Sequence, residues 1–334
     1  MKNISFVIIG RNEGWKLDVS LKSVFDTLLL NNIADVSEVI YVDSNSTDNS
    51  IEIAKKYPLT LIIKVTDKHI NAAIGRNIGA SYSKGDYLIF LDGDTQLIPK
   101  FISEIIDQDK TLKYSFVTGN IIEYYYDDKW KFIKKLYRTP NGKAYLRDKY
   151  EAKIGGVFFC VKRSLWDELH GMDSRLNRLE DTDFSLRLSQ KGIPLLRKKE
   201  VAAIHHTISY VYHARLKKEL LSFDSKYYGH LYHMNLFNLK LIKIIIRSEF
   251  TLLLFLFMFL LSFYIGAFWP IILYPLFVLI RVWYQSRRRF FSALDVLHII
   301  KRDIIVFFSF LFYFPVKRNI DPQCSIVYDN NANV

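Results

Sequence analysis

Asp92 and Asp94 stand on either side of one glycine, directly after the apolar run Tyr87-Leu88-Ile89-Phe90-Leu91. Alternate side chains of an extended strand point the same way, so both carboxylates can share one face of a strand end. A pair of hard oxygen ligands suits Mg2+ or Mn2+, ions that commonly bridge to phosphates. The spacing therefore predicts a divalent cation and a phosphate-bearing substrate. Acidic turns after strands are common, so this reading needs support from the elements around it.

Those elements are legible. Ile4 to Ile9 is a continuous apolar run of strand length, followed by Gly10-Arg11-Asn12-Glu13. Leu17, Leu21, Val24, Phe25 and Leu28 then recur at helical spacing. A second strand, Glu38 to Val42, ends in Asp43-Ser44-Asn45-Ser46-Thr47-Asp48, which is turn and helix-cap chemistry. A short helix over 51–56, a strand over Leu59–Val65, a helix over Asn71–Ser83 and a strand over Asp86–Leu91 complete the alternation. Strands alternating with helices predict right-handed βαβ units and a mostly parallel sheet. Ligands of such sheets bind beyond the carboxyl ends of the strands. Glu13, Asp43, Asp92 and Asp94 all fall there, around one crevice.

With these blocks in place the chain resembles the family 2 glycosyltransferases of GT-A fold. Four segments carry the resemblance in order: the opening strand with Arg11-Asn12-Glu13; Val42 to Asp48; Ala73 to Pro99; and Gly155 to Gly192. The third holds Gly75-Arg76-Asn77-Ile78-Gly79-Ala80, Gly85-Asp86-Tyr87 and Leu91-Asp92-Gly93-Asp94 together. The fourth holds Gly171-Met172-Asp173 and then Glu180-Asp181-Thr182-Asp183. The resemblance covers roughly residues 3–210.

It implies a nucleotide-diphosphate sugar as donor, with Asp94 holding Mn2+ or Mg2+ and Asp92 near the ribose or the metal-bound waters. Asp43 is implied as a nucleobase contact, a helix cap being the plainer alternative. Arg11 and Glu13 line the same pocket by analogy, Gly93 lies between the acidic pair, and Arg76 could reach a phosphate. Asp181 is the expected general base, with Glu180 orienting it or touching the acceptor; adjacent carboxylates raise one another's pKa. Capping at a helix N-terminus is the simpler account of that acidic run. His205 or His206 is expected to complete the metal site, His205 being favoured. Gly156, Trp166 and, less specifically, His170 are candidate sugar or acceptor contacts.

The last third differs in composition. Thr251 to Ile280 contains 30 consecutive uncharged residues, long enough to span a bilayer. Trp269-Pro270 and Pro275 interrupt it, which argues against one straight helix. Lys240, Lys243 and Arg247 precede the run, and Arg281 with Arg287-Arg288-Arg289 follow it. Positive charge at both ends predicts a helical hairpin or re-entrant element with both ends cytoplasmic, a single tilted span being the lesser reading. Ile304 to Val316 reads as an interfacial helix or part of a packed bundle, ending at Lys317 and Arg318. The net charge of +12 then points to anionic lipid rather than nucleic acid. Residues 124–150 are basic and aromatic, fitting either a membrane-facing or an acceptor-covering loop, or an irregular surface insertion. Met1-Lys2-Asn3 leads straight into the first strand, so the catalytic part is expected in the cytoplasm, at the plasma (inner) membrane. With Cys160 and Cys324 alone, neither a disulfide framework nor a thiolate metal site is implied.

Three other classes fit less well. A haloacid-dehalogenase-type phosphotransferase would place its Asp-Gly-Thr motif on the first strand, whereas Asp92-Gly93-Asp94-Thr95 follows several. A dinucleotide-binding dehydrogenase needs a glycine-rich turn that Gly10-Arg11-Asn12-Glu13-Gly14 lacks. An inactive, transferase-like membrane scaffold is opposed by intact Asp94 and Asp181. The organisation expected is a GT-A-like α/β domain over 1–210, a basic helical connection over 211–249, membrane-associated helices over 250–318 and a tail over 319–334. The function expected is inverting transfer of one sugar to a polyprenyl-linked glycan or a lipid, in cell-surface polysaccharide or glycolipid synthesis.

Overall fold

Every residue of Ile4–Gly10 (β1) is buried, because β1 lies inside the sheet with helices on both faces. Its alternation divides the core. Ile4, Phe6 and Ile8 pack with Leu17, Leu21 and Val24 of Trp15–Leu30 (α1), while Val7 and Ile9 pack with Ala73, Ile74 and Ile78 of Ala72–Tyr82 (α3). The computed structural model describes residues 3–67, 70–139, 141–151, 156–208, 220–285, 293–315 and 323–330.

The chain forms two units, Met1–Ser209 with Lys317–Val334, and Tyr210–Val316. In the first, β1 is flanked in parallel by Ser37–Asp43 (β2) and Tyr87–Asp92 (β4), and Leu61–Val65 (β3) lies parallel beyond β2. This is the predicted βαβ half, with Ser50–Ala54 (α2) between β2 and β3. Asn71 caps α3 by accepting from Ile74 N at 2.9 Å.

The other half departs from a mostly parallel sheet. After Thr95–Leu97 (β5) and Pro99–Ile105 (α4) come Phe116–Tyr126 (β6), Phe132–Tyr137 (β7), Lys149–Glu151 (β8) and Phe158–Lys162 (β9). Arg163–Glu168 (α5), Glu180–Gln190 (α6) and Leu195–Ile208 (β10) follow. With Cys324–Asp329 as β11, the path runs β11-β3-β2-β1-β4-β9-β6-β10-β5, with β7 on β6 and β8 on β10. Among the described residues of that half the β6–β10 pair alone is parallel; β9, β5, β7 and β8 pair antiparallel. The sheet is therefore mixed. The sequence hid this because β6 to β9 follow one another with no intervening helix to mark each crossover. Cys324–Asp329 (β11), read from sequence as tail, pairs antiparallel with β3 as an edge strand of the first unit.

The second unit is helical: Lys226–Met234, Leu239–Ser248, Phe250–Ile265, Trp269–Gln285 and Ala293–Phe312. The long apolar run breaks at Gly266, which takes φ 64° and ends the third of these helices. Three contacts show how the next helix returns. Arg281 Nη1 donates to Thr251 Oγ1, the Phe255 and Tyr274 rings lie 5.1 Å apart, and Ile271 N donates to Ser262 Oγ at 3.3 Å. As one residue number falls its partner's rises, so the two helices run antiparallel. Among the described residues no single helix is long and apolar enough to cross a membrane. The single tilted span is thus not what forms. Much of this apolar surface faces outward, with Phe263, Tyr264 and Phe268 at least 80% exposed. Arg287-Arg288-Arg289, Lys317 and Arg318 lie outside the described residues.

Candidate active site

Strand ends supply most of the site. Asp92 closes β4, and Gly93-Asp94 turns the chain into β5, with Gly93 N donating to Ile9 O at 2.7 Å. The strand's alternation ends at that turn, so the two carboxylates part. Asp92 faces α3 and Asp94 faces α1. The turn is tight at the glycine: a Cβ at position 93 would lie 3.0 Å from Glu13 Cγ and 3.2 Å from Ile9 O.

Around Asp94 the charges alternate. Lys16 Nζ lies 2.5 Å from Glu13 Oε2 and 3.8 Å from Asp94 Oδ2. On the other side His205 Nε2 is 3.4 Å from Asp94 Oδ2, and its Nδ1 is 3.4 Å from Glu123 Oε1. Arg138 Nε stands 3.6 Å beyond, from the same Glu123 oxygen. Sheet register brings these together, since His205 on β10 sits opposite Thr95 of β5 and Glu123 of β6. Burial works against the imidazolium of His205, but the Asp94 carboxylate outweighs it and pushes the pKa up to about 9. Burial likewise opposes ionisation of Asp94, yet His205 and Lys16 hold it below the usual carboxylate range. Glu13 is raised, first by burial and then by Asp94.

This arrangement fits a divalent cation. Asp94 Oδ1 is buried without a hydrogen-bond partner, and carboxylate with imidazole is a donor set suited to Mn2+. Among the described residues no three His, Cys, Asp or Glu side chains gather into a metal cluster. Asp94 and His205 could therefore hold the ion, leaving its other positions to phosphate oxygens and water. The expected third ligand is corrected: Asp92 is drawn off to Arg76.

Arg76 is the centre of the opposite cluster. Its guanidinium, 2% exposed, donates to Asp92 Oδ1 at 2.8 Å, Glu180 Oε1 at 3.0 Å and Gly156 O at 2.9 Å. It does not face the crevice, so the expected phosphate contact is corrected as well. A charge this deep persists only because two carboxylates meet it. Burial raises Asp92, as does neighbouring Asp94, with Arg76 acting the other way. Burial, reinforced by adjacent Asp181, pushes Glu180 up to about 7.

Asp181 lies in the first turn of α6, where its Oδ1 accepts from Thr182 N at 2.6 Å. Leu179, immediately before the helix, is held at φ 70°, a conformation uncommon for a non-glycine residue. Gly156, at φ 66°, passes so close that a Cβ there would meet Asp181 Oδ2 at 2.8 Å. Asn77 fixes the neighbouring loop, accepting from Met172 N at 2.9 Å and donating to Met172 O at 2.8 Å.

The remaining candidates divide. Asp43 is fully buried, its Oδ1 taking the Tyr41 hydroxyl at 3.1 Å and its Oδ2 accepting from Ser46 N at 2.8 Å. It shapes the 44–48 loop, and a nucleobase would have to share those oxygens. Asn49, not Asp43, is the residue at the start of α2. Arg11 is exposed beside Glu13, to which its backbone N–H donates at 3.4 Å. Trp166 is a core residue, its ring 4.6 Å from Phe90 and 4.9 Å from Phe184, so the expected sugar contact is corrected. His170 is exposed in the turn after α5, and Gly155 lies outside the described residues. His206 is buried with Nδ1 2.8 Å from the Tyr126 hydroxyl, and burial lowers its pKa to about 4. Lys16 and Glu123 were missed. Lys16 had a signal in its i,i+3 spacing from Glu13, whereas Glu123 reaches the site only through sheet pairing.

Comparison with known proteins bears on the family and the fold. Residues 5–169 match the family model described as Glycosyl transferase family 2. An uncharacterized glycosyltransferase of Haemophilus influenzae is 32% identical over 162 residues, 46% of this chain and 52% of the relative. A UDP-Glc:alpha-D-GlcNAc-diphosphoundecaprenol beta-1,3-glucosyltransferase of Escherichia coli is 32% identical over 104 residues, 31% of this chain and 40% of the relative. The chain thus spans about half or less of the length of these relatives. The mannosyltransferase of Pyrobaculum calidifontis, solved with GDP-Man and Mn2+, superposes over 93% of this chain and 87% of its own at 11% identity, with a TM-score of 0.58. That likeness is one of fold.

Proposed function

Since residues 5–169 belong to glycosyl transferase family 2, we propose that this chain is an inverting transferase moving one sugar from a nucleotide diphosphate to a membrane-borne acceptor. The observation that carries the reading is the two-sided site. Asp94 and His205 could hold a cation on one side of Gly93, and Glu180 and Asp181 lie on the other, tied back through Arg76.

Transfer requires a diphosphate to leave and a hydroxyl to attack. A divalent cation on Asp94 and His205 would offset the negative charge that develops on the departing diphosphate. Lys16, 3.8 Å from Asp94, adds a fixed positive charge to the same side. Asp181 takes the proton of the acceptor hydroxyl as its oxygen attacks the anomeric carbon opposite the diphosphate. The new glycosidic bond forms as the carbon–phosphate-oxygen bond breaks, and the configuration inverts. Glu180, held by Arg76, keeps the first turn of α6 in register with Asp92.

The Escherichia coli relative is named for a diphosphoundecaprenol-linked acceptor, and the exposed apolar helices of the second unit support the same class here. We place the protein at the cytoplasmic face of the plasma membrane, in cell-surface polysaccharide or glycolipid synthesis. The test separates the two sides of the site in the detergent-solubilised chain. Asp94→Ala is expected to lose Mn2+-dependent binding of nucleotide sugars. Asp181→Asn is expected to keep that binding and to lose transfer by about 10²–10⁴-fold. Normal turnover by either variant would remove its assigned role.

A further inference from the structure

The β6–β7 hairpin belongs to the first unit, and its second strand, β7, pairs with β6 off the main path of the sheet. Its turn is built to a definite shape. Asp127 Oδ1 accepts from Lys129 N at 2.9 Å and from Lys131 N at 2.8 Å, and Trp130 is held at φ 60°, rare for so bulky a residue. That conformation turns the Trp130 ring inward, 5.7 Å from Trp15 and 4.8 Å from Lys16 Nζ. Beyond Lys131 the chain leaves Phe132 48% and Ile133 47% exposed. Lys129, Lys131, Lys134 and Lys135 surround them in sequence, with Lys129, Lys131 and Lys135 exposed. Two neighbouring, half-exposed large apolar side chains thus stand among four lysines. They match the chemistry of an anionic headgroup layer, which takes apolar and aromatic groups at its boundary and attracts lysines.

We propose that this hairpin tip docks into an anionic lipid surface, a second membrane contact independent of the helical unit. The inference rests on the reading of a membrane-borne acceptor and gives that reading a location. The tip is joined firmly to the site: Phe132 packs 5.9 Å from Tyr126, whose hydroxyl meets His206, and Lys16 beneath Trp130 faces Asp94. Docking there sets the cation side of the site beside the headgroups, where the head of a lipid-linked acceptor lies.

The full chain carrying Cys324→Ser and Ile133→Cys, labelled at 133 with an environment-sensitive fluorophore, tests this in vesicles; the native Cys160 is buried. The expected result is a blue shift and quenching by spin-labelled lipid in vesicles containing phosphatidylglycerol. Both should fall at least twofold with Lys131→Glu and Lys135→Glu together, or on raising salt to about 0.5 M, where screening shortens to roughly 4 Å. A label that stays in water, or one that responds equally in neutral vesicles, overturns the proposal. Nucleotide-sugar binding measured on the same sample separates that failure from failure of the transferase reading, and also reports that the variant is folded.

Discussion

The buried Arg76 pairs with the partly exposed Asp92, 2.8 Å from Nη2 to Oδ1, and the same guanidinium reaches Glu180 at 3.0 Å. One helical side chain thus couples the strand that ends at the cation side to the helix that carries Asp181.

Removing that side chain leaves two carboxylates facing each other's field with no compensation. Arg76→Met is expected to cost about 3–5 kcal/mol of stability, the range for breaking a buried pair from one side. Arg76→Lys should recover only part of this, since an ammonium lacks the planar fork that serves both carboxylates. Thermal unfolding of the three proteins in one detergent decides the matter. Equal melting of Arg76→Met and the parent would mean that the pair contributes nothing.

Glu180 predicts a pH dependence. Its folded-state pKa of about 7 stands above the ordinary 4.5, chiefly through burial. Between those values the folded chain holds a proton that the unfolded chain has released, so stability falls as pH rises. The contribution is complete below about pH 4.5 and gone above about pH 7, amounting to at most ~3 kcal/mol. Glu180→Gln should flatten that part of the stability profile. A slope unchanged between parent and variant would rule Glu180 out as its source.

Glu123 predicts a metal affinity. It stands 3.4 Å from Nδ1 of His205 and accepts from the Tyr125 hydroxyl, placing a fixed carboxylate beside the ring whose other nitrogen faces Asp94. Carboxylates in that position typically carry 10–100-fold in metal binding. Titration calorimetry with Mn2+ on Glu123→Gln should show a loss in that range, with His205→Ala losing more. Parent-like affinity in Glu123→Gln would reduce its role to local packing.

The amino-acid sequence by itself determined the first half of the sheet. Uninterrupted runs such as Ile4–Ile9 bury both faces of a strand, helical spacing marked α1 and α3, and the four strands read there pair in parallel as β3-β2-β1-β4. It also put the four acidic positions at strand ends, because local alternation places a strand's last residue without knowledge of its neighbours. Tertiary structure alone decided which way those residues face. The turn at Gly93 ends the alternation, so Asp94 meets His205 while Asp92 is taken by Arg76. The register of β10 between β5 and β6 selects His205 over His206 and adds Glu123, a choice made by hydrogen bonds between strands more than 75 residues apart. The same distance hid β11, whose edge pairing with β3 depends on a partner some 260 residues earlier in the chain. Local chemistry is written in local spacing; the partners that aim it are brought by the sheet.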